Sequence, residues 1–379
     1  MQQYRRAVML LISAMVFSGC SGAKTATGPV FFPMAPNPPR VQYLMKVSNS
    51  EDIEGKKSSF TLFARKDQKD DQVRHIIKPY GVTTHKGRIF ICDTGGGTIS
   101  IIDPVAKTFL PLKGNFSTGK LRKPVNLAFG NDGTMYVADV ERKEVLVYDP
   151  EGNFKTAFGK DLEMKPTDVA VDDKFLYVID MAHSEIKVLD SKSGKLLNQI
   201  GKRTETTDGL ALPSNLAMDG KGFLYVTNTL SGKVMKFDRD GHLLQSFGKL
   251  GDGFGQFGRP KGITVDDAGR IYVADSAHQN VQLFNEKGRL LMFFGDPGSA
   301  PGGTMNLPTS VAVSKENLDF YQKMADPSFE LENVIFVINQ YGSNKLSVYG
   351  LGHRKGDELD PATGDIKAKE QQSSADTKK

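Results

Sequence analysis

The residues best placed for chemistry sit at fixed offsets from six prolines: Pro79, Pro124, Pro166, Pro213, Pro260 and Pro308. Two positions after the proline the chain carries Gly81 and Gly262 in two repeats, but Asn126, Asp168, Asn215 and Ser310 in the other four. Brought together, these four make a ring of oxygen ligands suited to a hard cation or to a polar ligand. The alternative is that they hydrogen-bond loop backbone or line a water-filled channel. A second set, Asp93, Asp139, Asp180, Asn228, Asp275 and Asn339, closes the most apolar segment of each repeat. A carboxylate or amide at every equivalent site points to a shared structural task, capping turn amides through Asx-type bonds, and away from catalysis. Just beyond this set lie Arg142, His183, His278 and Tyr341, which complete the candidate ligand-binding residues. His183 and His278 share one offset, three after the Asp, and two neutral imidazoles are potential zinc ligands. Two polar histidines on an exposed turn are the alternative.

Other chemistries lack their residues. No Gly-x-Ser-x-Gly elbow and no phosphate-binding glycine loop ahead of a helix is present. The two cysteines, Cys20 and Cys92, form no Cys-x-x-Cys-His, which excludes covalent haem and leaves calcium or zinc as the cofactors these sets could hold. Cys92 lies in the apolar run Arg88–Asp93 and reads as a small buried hydrophobe. The net charge of +5 falls to +3 without Arg5 and Arg6, too little to argue for nucleic acid.

The elements that must position these residues follow from the period. The six prolines are spaced 45, 42, 47, 47 and 48 residues apart, which marks a repeat architecture. Each repeat divides into four short strands, a to d, separated by turn signals such as Asn131-Asp132-Gly133 and Lys287-Gly288. The a strands are expected at 81–85, 126–130, 168–172, 215–219, 262–266 and 310–314. The b strands, apolar on both faces, imply a sheet covered on both sides. A radially repeated four-stranded meander of this kind is a propeller blade. The d–a and b–c loops would then share one face of the disc with the channel mouth.

The sixth repeat ends at its c strand, Lys345–Tyr349, with no apolar segment after it. Residues 41–47 have the length and alternation of the missing d strand, so they are expected to close the ring and remove its exposed edges. The predicted fold is all-β: a six-bladed β-propeller of four-stranded antiparallel blades over 41–350, closed by an N-terminal strand. Short helices are expected at 58–66 and 317–325.

The flanks have other roles. Residues 1–19 carry Arg5 and Arg6 ahead of an apolar run, Ala7–Phe17, too short to span a bilayer. The sequence Phe17-Ser18-Gly19-Cys20 resembles the lipobox of bacterial lipoproteins, which implies cleavage of a signal peptide and lipidation of Cys20. Ser21, in place of the Asp that favours inner-membrane retention, points to the outer membrane. Residues 20–40, rich in Gly and Pro, read as a flexible tether, and 351–379 as a disordered polar tail.

The pattern Pro-x-Gly…Val-Asp…Gly-x-Ile-Tyr-Val-Ala-Asp…Val-x-x-Phe resembles NHL repeats, and blade five (Phe257–Gly295) matches best. The resemblance to bacterial NHL-repeat lipoproteins implies a six-bladed propeller, a scaffold that hosts binding modules, lyases and hydrolases. Similar peptidylglycine amidating lyases use three zinc-binding histidines, where this chain offers two. The functional expectation is a lipid-anchored envelope module whose d–a/b–c loop face binds a protein or glycan. A metal-dependent lyase or hydrolase at the channel mouth is the alternative, and a nucleic-acid partner is not expected.

Overall fold

Each repeat proline opens an innermost strand, because its fixed φ suits the first strand residue and no ladder N–H is lost there. The computed structural model describes residues 28–56, 72–202, 209–295 and 302–357. Blade one comprises Pro79–His85, Arg88–Asp93, Thr98–Asp103 and Thr108–Pro111, and blade two Pro124–Phe129, Met135–Asp139, Glu144–Tyr148 and Phe154–Phe158. Blade three comprises Pro166–Val171, Phe175–Asp180, Glu185–Asp190 and Leu196–Ile200, and blade four Pro213–Met218, Leu224–Asn228, Lys233–Phe237 and Leu243–Phe247. Blade five runs through Pro260–Val265, Ile271–Asp275, Asn280–Phe284 and Leu290–Phe294. Within each blade the strands pair antiparallel in chain order. The innermost strands of neighbouring blades touch all the way around, so the array is a closed six-bladed ring.

The core lies between blades. Six buried clusters each join two adjacent blades; one, for example, packs Tyr177 and Ile179 of blade three against Leu224 and Val226 of blade four. The b strands therefore bury both faces. Ile271–Asp275 is buried at every position, as its unbroken apolar run requires.

Blade six closes the ring as the sequence predicts. Its strands are Pro308–Ser314, Phe329–Asn339, Leu346–Arg354 and, as outermost full strand, Val41–Val47. Val41 pairs with Leu351 and Val47 with Leu346, and both valines are buried. An ionic network fixes the joint: Glu332 meets Arg40 at 3.0 Å and Arg270 of blade five at 2.9 Å.

Two boundaries differ from expectation. The segment expected as a tether already forms structure at Phe31–Phe32, a fifth strand pairing with Val41 and Gln42. Phe32 is buried because its ring packs against Phe294 and Tyr349 at the junction of blades five and six. At the other end the last strand continues to Arg354, past the expected boundary at 350, because the b strand reaches back to Phe329 and pairs with it. A short helix at Leu318–Gln322 falls within the expected 317–325. The leader, Cys20, the helix expected at 58–66 and residues 358–379 lie outside the described residues.

Candidate functional site at the propeller axis

The four polar residues expected around the axis do converge there, but as a girdle that joins one blade to the next. The Asn126 amide donates to the Thr167 carbonyl of blade three at 2.9 Å. Asp168 accepts the Leu216 amide of blade four at 2.9 Å, and Ser310 accepts the Val82 amide of blade one at 3.2 Å. All four side chains, Asn215 included, are buried. Gly81 and Gly262 have no side chain for a related reason. A Cβ on Gly81 would lie 2.0 Å from Asn126 Oδ1, and one on Gly262 would lie 2.4 Å from Ser310 Cα.

The girdle also carries unspent polarity. Asn215 Oδ1 and Thr167 Oγ1 are buried without a hydrogen-bond partner among the described residues. Burial pushes the Asp168 carboxyl up to about 7, against the opposing effect of the Leu216 and Val169 amides and the Asn215 side chain. Below the girdle, a cavity of about 320 Å³ lined by the innermost strands runs from Asp168 and Asn215 towards the a–b turns, past Thr84, His85, Phe129 and Met218. The girdle is thus the floor of a cavity that extends to the face opposite the expected channel mouth.

On the expected face, the axis is occupied by residues that the sequence analysis did not select. In every blade the pairing of the innermost strand slips just after the proline: at Pro79/Gly81, Pro124/Asn126, Pro166/Asp168, Pro213/Asn215, Pro260/Ile263 and Pro308/Ser310. A bulge of this kind re-aims the side chain it carries. In blades one and five that residue is Tyr80 and Lys261, and the Lys261 ammonium reaches the Tyr80 hydroxyl at 3.4 Å. Burial, then the Asp168 charge, push the Tyr80 phenol up to about 12. Burial, reinforced by Arg259, pulls the Lys261 ammonium down to about 8.

Around this pair stands a rim. The residues immediately before the prolines are Lys78, Lys123, Lys165 and Arg259 in blades one, two, three and five, and Leu212 and Leu307 in blades four and six. All six are exposed. Lys78 lies 5.7 Å from the centre of the Tyr341 ring, and no described carboxylate pairs with any of the four cations.

The b-strand carboxylates are structural clamps, and they do more than the Asx reading required. Asp275 accepts the Ala277 and His278 amides of its own b–c turn at 3.0 and 3.2 Å. It also accepts Gly258 and Arg259 of the incoming d–a segment at 2.7 and 2.8 Å. Asp93 and Asp139 repeat this four-amide pattern. Each carboxylate therefore fixes two loops of the face at once.

His183 and His278 are tied to these clamps, each inside its own blade. His183 Nδ1 lies 2.6 Å from Asp180, and His278 Nδ1 lies 2.9 Å from Asp275, with Asp252 3.0 Å from its Nε2. Arg142 is likewise spent, on Glu144 at 2.8 Å and on the Thr118 and Lys120 carbonyls. Tyr341 is exposed.

Among the described residues, two groups have ligand atoms close enough for a metal: Asp180 with His183 and Glu185, and Asp238 with Asp240 and His242. In the first, the buried Lys187 ammonium sits 3.2 Å from Asp180 and also bonds Glu185, so a fixed cation already sits against both carboxylates. The second is an exposed c–d turn whose Asp238 already accepts the Asp240 and His242 amides. A dication at either site would therefore compete with hydrogen bonds and ion pairs that the protein already makes.

Residues 109–341 match the family model of the teneurin NHL domain. The chain belongs to that family. No curated protein matches it. Among solved structures, this NHL domain is similar to a protein of unknown function from Bacteroides thetaiotaomicron, with 17% identity, 73% and 70% of the two chains covered, and a TM-score of 0.55. It is also similar to a gluconolactonase from Xanthomonas campestris (17% identity, 87% and 99% covered, TM-score 0.54). A third is a calcium-binding regucalcin from Agrobacterium tumefaciens (13% identity, 74% and 92% covered, TM-score 0.51). At these identities the likeness is one of fold, and the NHL domain's chemistry rests on its own residues.

Proposed function

We propose that this NHL domain is a lipid-anchored binding module of the cell envelope, held at the outer membrane through Cys20, and that its d–a/b–c face engages an acidic protein or glycan. The observation that carries this reading is the rim. Four exposed cations at one repeat position, none spent on a described carboxylate, surround Tyr80 and Lys261. Clamped loops hold that rim in place, so a partner pays little to order it. The face offers cations and hydroxyls, which suit recognition of an acidic partner.

The test is cross-linking in intact cells, followed by purification through the lipid anchor, for the native chain and for Lys123→Glu, Lys165→Glu and Arg259→Glu combined. Loss of the captured partner with an unchanged melting temperature supports the reading. Undiminished capture removes the rim from it.

The alternative, a metal-dependent lyase or hydrolase, draws on the unsatisfied girdle oxygens beside Asp168 and on the calcium-binding protein among similar folds. Stoichiometric calcium or zinc in protein purified without chelator, lost in Asp168→Ala, would favour it.

A further inference from the structure

We propose that the flank of blade five is a membrane contact, an apolar groove covered by the acyl region of a phospholipid leaflet. This rests on the reading that Cys20 carries a lipid. The outer strand of blade five, Leu290–Phe294, is an unpaired edge composed entirely of apolar residues. In blades two to four the same strand places Lys155 and Thr156, Asn198 and Gln199, and Gln245 at its centre. Those polar groups suit an edge that faces water, and blade five has none.

The groove beside this strand has a volume of about 380 Å³ and is walled on its far side by Phe32, Pro33 and Met34. Phe254, from the d–a loop, stands over it at 87% exposure, the highest of any large apolar side chain described. Its ring stacks on Phe293, itself 45% exposed, with centroids 6.2 Å apart. Two exposed phenylalanines and Met34 (53% exposed) thus form one patch around an apolar cavity, a surface that soluble proteins ordinarily cover.

The path of the chain selects the occupant. The wall Phe32–Met34 is the first structured segment of the described chain, which begins at Gly28. Twelve positions separate Cys20 from Phe32, so even fully extended chain places a lipid on Cys20 within about 40 Å of this wall. The bilayer is therefore always near this flank. Exposed aromatic and thioether groups gain by entering its interfacial region, as amphipathic membrane-surface segments do.

The chain contains no tryptophan, so Phe254→Trp provides a single fluorescent reporter. The lipidated full-length variant is reconstituted into phosphatidylethanolamine/phosphatidylglycerol vesicles, with and without acyl-chain bromination. Leu230→Trp, in the b–c turn of blade four, serves as the control. The leaflet contact predicts a blue-shifted indole from Phe254→Trp that brominated lipid quenches at least twofold, with the Leu230→Trp indole unaffected. Flotation with the vesicles but a water-exposed, unquenched indole at position 254 would overturn the contact and leave the lipid anchor standing. Failure of the native chain to float would remove both. A dimer in detergent that Phe254→Asp dissolves would assign the groove to a second copy and overturn the leaflet contact.

Discussion

Lys261 of blade five reaches past blade six to Tyr80 of blade one, placing its ammonium 3.4 Å from the phenol oxygen on the d–a/b–c side of the girdle. Both side chains leave bulged positions. Burial, and after it neighbouring Arg259, disfavours a charge at this place, so the Lys261 ammonium is held there against a desolvation and electrostatic cost.

That cost has a sign. The folded-state pKa of Lys261, about 8, lies below its ordinary 10.5. Below about pH 8 both states carry the proton and the full penalty is present; as pH rises towards 10.5 the folded state has released it and stability recovers. Lys261→Met should therefore melt higher than the native chain at pH 7, and the gap should close as pH is raised from 8 to 10.5. Thermal melts across that range check it, and a gap independent of pH would contradict it.

Asp168 behaves in the opposite direction. Its folded-state pKa, raised from 3.8 to about 7, means that the fold retains a proton the unfolded chain has lost. Stability should fall as pH rises from about 4 to about 7, by roughly 4 kcal/mol at most, at ~1.4 kcal/mol per pH unit. Asp168→Asn should flatten that part of the profile, with a uniform loss where its amide group meets the Val169 or Leu216 N–H. Chemical denaturation at a series of pH values measures both effects.

The carboxylate clamps separate architecture from chemistry. Asp275→Ala frees four backbone amides, two in each of two loops, and should cost about 3–5 kcal/mol. His278→Ala, which removes only a partly exposed ring from the same carboxylate, should cost less than about 1 kcal/mol. A His278 effect as large as that of Asp275 would show that the imidazole is part of the clamp.

Ring closure predicts an asymmetry between the ends of the chain. Val41→Ala and Val47→Ala each remove buried methyl groups and should cost about 1–3 kcal/mol, whereas ending the chain after Asp357 should leave the melting temperature unchanged. A double-mutant cycle on Arg40 and Glu332 should show coupling, because Glu332 also holds Arg270 of the neighbouring blade.

Most of the fold was legible because the repeat states its own grammar. The absence of an apolar segment after Tyr349, set beside the orphan alternation at 41–47, was enough to find the closing strand. The short pairing at Phe31–Phe32 was hidden by its proline-rich flanks, and the extension to Arg354 by the glycines and charges of Gly350–Arg354. The girdle residues were found by position, but their burial was not, since spacing does not show that Asn126 is spent on Thr167. Tyr80 and Lys261 were missed because a bulge breaks the two-residue period at the place that aims them. The available signal was size: after the six prolines come Tyr, Val, Thr, Ser, Lys and Thr, and the two largest side chains belong to the blades on either side of blade six.

Blade six takes its outermost full strand from the beginning of the chain and its other three from the end. During synthesis Val41–Val47 has only the two-residue strand Phe31–Phe32 to pair with until the final strand has emerged, so the ring can be sealed only in a last, long-range step. Such non-local pairing is slow to form. The join between blade six and the start of the chain is therefore the last part of the ring that can form, whatever order the other five blades take.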